Sequence, residues 1–110
     1  MAKMEKVIYN ESFFSLLQRI EKGILQGSSS ATLEDSSDFE ENGARCSVRV
    51  FERYSYMGKN RVSLSVTLFQ AGANSPVHLS AVTAGGSQAL FFKINTFGEE
   101  AFLNKLRELL

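Results

Sequence analysis

The sequence predicts an α+β fold: a two-layer curved antiparallel sheet with N-terminal and C-terminal helices packed on one face. Three observations carry this reading. Segments near both ends repeat apolar residues at helical spacing, and the stretch between them alternates apolar and polar residues as strands do. Within that stretch, Asn42-Gly43 is the residue pair a two-residue hairpin turn demands, since both tolerate positive φ. The predicted order is β-α-β-β-β-β-β-α, with residues 1–110 as one domain.

The elements follow in order. Met4 to Tyr9 reads as a short first strand. Phe13, Leu16, Leu17, Ile20 and Ile24 place one apolar face on a helix from Ser12 to Gln26, which Gly27 ends as a left-handed C′ residue. Gly23 weakens its last turn. The Asn42-Gly43 turn pairs Phe39 with Cys46 and Leu33 with Glu52. Arg61 to Phe69 alternates cleanly, with Val62, Leu64, Val66 and Leu68 inward, and a Met57-Gly58-Lys59 loop sets Val50 opposite Val66. Val77 to Ala84 and Ala89 to Ile94 make two further strands around a Gly85-Gly86-Ser87-Gln88 turn. Thr96-Phe97-Gly98-Glu99 is a capping box that opens a helix over 97–110, whose stripe is Phe102, Leu103, Leu106, Leu109 and Leu110.

Composition excludes several classes of function. Twelve basic and twelve acidic residues cancel, so neither nucleic acid nor an anionic membrane is an expected partner. The first nine residues hold Lys3, Glu5 and Lys6 and no apolar signal segment. A single cysteine, Cys46, fits a reducing compartment, so a cytoplasmic location is expected. No cofactor motif is present. One histidine and one cysteine are too few for a zinc site, and the acidic run from Asp35 lacks the glycine and the final glutamate of a calcium loop. No catalytic constellation emerges, and the reading leans away from an enzyme.

Two stretches, "VRVFERYSY" and "GGSQALFFKINTFGEEAF", resemble a family of small uncharacterised bacterial proteins over nearly the whole chain. The element order resembles helix-grip and TATA-binding-protein-like folds, in which a curved sheet wraps a terminal helix. Neither resemblance implies an activity or a set of site residues, because fold does not fix function.

Candidate residues centre on one strand. In 48–56, Val48, Val50, Tyr54 and Tyr56 share a face by even spacing, and Glu52 interrupts it. One reading makes Glu52, Tyr54 and Tyr56 the polar groups of a ligand cavity between sheet and C-terminal helix, walled by Val48, Val50, Leu64, Val66, Phe92, Phe102 and Leu106. The plainer reading is a strand margin or a bulge at Phe51-Glu52 that turns the carboxylate outward. A second hypothesis is an interaction module or self-association through the outer face or an edge. It would use Phe51, Phe69 and Phe91 where they break the polar alternation, with Arg49 and Arg53 among the outward cations. Arg45, Arg49, Arg53 and Arg61 also read as a solvated face, with Glu40 opposite Arg45 and Asp38 between Arg45 and Arg49. A third hypothesis is a small enzyme with Glu52 as general base.

Overall fold

A computed structural model describes residues 1–56, 59–85 and 92–110, and only the backbone of 92–96. Helix α1, Phe13–Gly27, opens where the Ser12 hydroxyl accepts the Ser15 N–H at 3.4 Å. Its buried residues are Phe13, Leu16, Leu17, Ile20 and Ile24, the five expected. Its end differs from expectation. Gly27 is the last helical residue and Ser28 leaves in an extended conformation, φ −148°, so no left-handed glycine caps it.

Gly23 has a different use. A Cβ there would run into the side chain of Leu109, so the missing methyl lets the end of the second helix seat against α1. That helix, α2, spans Phe92–Arg107 and starts before the expected capping box, so Thr96 is not its N-cap. Phe92 to Ile94, expected as strand, are its first residues. The remainder of that expected strand, Ala89 to Phe91, lies outside the described residues, as do Gly86 to Gln88, Met57 and Gly58. On α2, Phe102, Leu103 and Leu106 are buried, and just past its end Leu109 and Leu110 pack against the core. Among the described residues, no helix is long and apolar enough to cross a membrane.

Five strands form one antiparallel sheet in the order β1-β5-β4-β3-β2: β1 Ala2–Ile8, β2 Thr32–Glu41, β3 Ala44–Ser55, β4 Asn60–Gln70 and β5 Val77–Gly85. The β2–β3 turn is the predicted one. Asn42 and Gly43 both have positive φ, 50° and 84°, and Phe39 pairs with Cys46. Further along, a bulge between Leu33 and Asp35 shifts β2 by one residue, so Leu33 faces Phe51 and not Glu52.

The consequential difference lies between β3 and β4. Val66 pairs with Arg49, not Val50, because Ser55 pairs with Asn60 and four residues (56–59) connect the strands where three were expected. One residue of register turns every β3 side chain over. Phe51 is therefore fully buried beside Leu64, while Val48, Val50, Glu52 and Tyr54 lie on the other face. No bulge in β3 is needed: the β3–β4 register is continuous from Arg45 to Ser55. Both helices cover the face that carries Phe51, Leu64, Val66, Leu68, Leu79 and Ala81.

A candidate ligand cleft at the end of an arginine ladder

The inverted register sends three arginines under α1. Arg45, Arg49 and Arg53 are four apart on β3, about 13 Å per step. The groups they meet on or just after α1 are Phe14, Glu21 and Ser28, seven apart, about 10.5 Å per step. The two spacings nearly match, and long arginine side chains absorb the difference. Arg45 lies 4.6 Å from the centre of the Phe14 ring, Arg49 pairs with Glu21, and Arg53 donates to the Ser28 hydroxyl at 2.9 Å.

Arg49 is the buried rung, 7 % exposed, and it is fully partnered. Besides Glu21 it reaches Asp38 at 2.9 Å and donates to the Val48 carbonyl at 2.9 Å. Burial works against its charge, but the hydrogen bonds to Glu21 and Asp38 outweigh it and hold its pKa above the usual value.

Arg53 has no such support. Its partners are the Ser28 hydroxyl and the Phe102 ring, 4.7 Å away, and among the described residues no carboxylate pairs with it. Burial alone acts on it, pulling its pKa below the usual value. It faces a cleft of about 360 Å³ between Ser28 to Ser30, the end of β3 and α2. Tyr54, Tyr56, Phe97 and Ala101 also border it. Tyr54 points to the opposite face of the sheet from Arg53, and its ring packs edge to face with that of Tyr56 at 5.0 Å. Here β2 has ended, and the Tyr54 N–H that it would have engaged donates to the Ser30 hydroxyl at 3.0 Å.

The structure separates the residues singled out from sequence. Tyr54 and Tyr56 come together at the cleft. Glu52 does not join them: it lies on the uncovered face, 2.9 Å from Arg61, which also donates to Thr32. Phe51 and Arg49, expected on the outer face, are buried. Arg53 also turns inward, and Phe91 is outside the described residues. Phe69, among the described members of that group, is the one exposed on the uncovered face, at 42 %. Ser28 to Ser30, a serine run between helix and strand, reads from sequence only as a loop. In the predicted hairpin Glu34 would stand to Arg53 as Asp38 stands to Arg49, and the bulge between Leu33 and Asp35 takes it out of register.

Among the described residues, no group of three or more histidine, cysteine or acidic side chains is placed to hold a metal. Over residues 1–110 the chain matches a family of unknown function (DUF6054), and it belongs to that family. No curated protein and no solved structure matches it.

Proposed function

We propose that this chain is a non-enzymatic binding domain that takes a small ligand in the cleft beside Arg53. The observation that carries the reading is a half-buried cation with no carboxylate partner among the described residues, facing a concave site that Phe97 and Ala101 border. A charge withdrawn from water is costly unless paired, and none of the described acidic residues pairs with this one. The described lining offers serine hydroxyls, tyrosines and a guanidinium but no carboxylate, histidine or thiol, which favours holding over catalysis. The site lies at the margin of the sheet. The interior between sheet and helices is taken up by Leu64, Leu103 and Leu106, each 0 % exposed. A cytoplasmic setting is supported by the free thiol of Cys46.

The test is amide chemical-shift mapping with octanol and octanoate on the wild type and on Ala101→Trp, which fills the cleft from an exposed helix position. Shifts confined to Ser28–Ser30, Tyr54–Tyr56 and Phe97–Ala101, and lost in the variant, support the reading. Shifts elsewhere, or none with either compound, reject it.

A second reading, self-association through the uncovered sheet face, is favoured by one cross-strand row. Phe39, Cys46, Phe69, His78 and Val7 align across all five strands by register. Phe39, Phe69 and Val7 are 65 %, 42 % and 39 % exposed. Light scattering across a concentration series checks it: a dimer mass abolished by Phe69→Glu supports this reading, and a monomer throughout removes it.

A further inference from the structure

The cleft's donors and charge define the chemistry of what it takes. Arg53 commits one N–H to Ser28, leaving four of the five guanidinium donors. The Ser28 oxygen accepts from Arg53, and the Ser30 oxygen accepts from the Tyr54 N–H. Each hydroxyl thus keeps its own hydrogen to donate. Donors therefore converge at one end of the cleft, with no acidic side chain among the described lining residues. At the other end stand Tyr56, the exposed Phe97 ring and Ala101, which offer surface to an apolar group.

We infer that the ligand's polar end is a singly charged oxyanion, a carboxylate on an apolar body, held by Arg53 with the Ser28 and Ser30 hydroxyls. This rests on the reading of the cleft as the ligand site. The planar fork of a guanidinium matches the two oxygens of a carboxylate, and hydroxyls satisfy the remaining lone pairs. Charge decides between oxyanions. One monoanion neutralises one arginine, whereas a dianionic phosphate leaves a surplus negative charge beside Phe97 and Phe102, away from any second cation in the described lining. The bound carboxylate would give Arg53 what Glu21 and Asp38 already give Arg49.

The experiment compares octanoate, octanol and octyl phosphate by titration calorimetry on the wild type, Arg53→Gln, Arg53→Lys and Ser28→Ala. Octanoate should bind at least tenfold more tightly than octanol to the wild type. That ratio should collapse to about one in Arg53→Gln, with Arg53→Lys and Ser28→Ala between. Equal binding of octanoate and octanol to the wild type would overturn the anion while leaving the cleft reading intact. Octyl phosphate binding more tightly than octanoate overturns the choice of a carboxylate. Binding of neither octanol nor octanoate overturns the cleft reading itself. If Arg53→Gln fails to fold, Ser28→Ala decides: an unchanged ratio there refutes the shared hydroxyl, and a reduced ratio sustains it.

Discussion

Arg49 and Arg53 stand on the same face of the same strand, one ladder step apart, and their surroundings differ in kind. Around Arg49, α1 and β2 each contribute a carboxylate, and backbone carbonyls accept what remains of the guanidinium. Around Arg53, β2 has ended and α1 has given way to serines, so the cation meets a hydroxyl, an aromatic ring and an open cleft. Two features explain this: Ser28 stands one step on from Glu21, and the bulge between Leu33 and Asp35 takes Glu34, one step on from Asp38, out of the β2–β3 pairing. A buried charge neutralised from within belongs to the architecture. One with no carboxylate among the described residues is the basis of the ligand proposed for the cleft.

Phe51 lies between the two arginines, and truncating it is the largest way to break the comparison. Fully buried against Leu64, Phe51→Ala should cost about 3–5 kcal/mol in urea unfolding. Val50→Ala, on the uncovered face, should cost less than about 1 kcal/mol. The reverse ranking would mean that the valines face the helices, and the ladder of arginines would not exist.

Next in size is the pair of carboxylates. Replacing both, Glu21→Gln with Asp38→Asn, leaves Arg49 buried among carbonyls alone and should lower stability by about 2 kcal/mol. The value is below that of a fully interior pair because Asp38 is 60 % exposed. Arg53→Met should stay within about 1 kcal/mol of the wild type, since it strands no carboxylate and keeps an apolar stem against Phe102. Denaturant midpoints measure both. An Arg53→Met cost as large as the carboxylate double variant would make Arg53 a structural residue and remove the reason for its cleft.

The helices and the first hairpin were legible because their signals are local. Five apolar positions on α1 and the Asn42-Gly43 turn need no knowledge of what they pack against. The face of β3 was not legible. Its even positions hold Val48 and Val50, its odd positions hold Arg49 and Arg53, and binary pattern favours the even set. What reverses the choice is tertiary: a connection one residue longer than expected, and a helix that brings Glu21 over Arg49. Glu52 and Phe51 looked like two misfits requiring a local bulge, yet both are explained when the whole strand is turned. The candidate cleft depended on this same inversion. Tyr54 and Tyr56 were visible as polar aromatics at a strand end, but Arg53 lines the cleft only because the turned strand points it at α2.

The smallest prediction separates the two arginines by pH. The Ser47 hydroxyl, donating at 2.7 Å, and the Arg49 guanidinium hold the Asp38 carboxyl below its usual value, against a smaller cost of burial. A depressed folded pKa gives stability that is complete above the unfolded value, 3.8, and is lost as pH falls through the folded one. Because Asp38 is largely exposed, screening reduces this to a few tenths of a kcal/mol. Below about pH 4, the stability of the wild type should therefore converge on that of Asp38→Asn, which lacks the titrating group. Arg53→Met should keep a constant offset from the wild type through the same range, since no carboxylate among the described residues answers to Arg53. Urea midpoints at intervals between pH 3 and pH 5 distinguish these curves. A wild-type curve that instead converges on Arg53→Met would reveal an acidic partner for Arg53, and the contrast between the two rungs would fail.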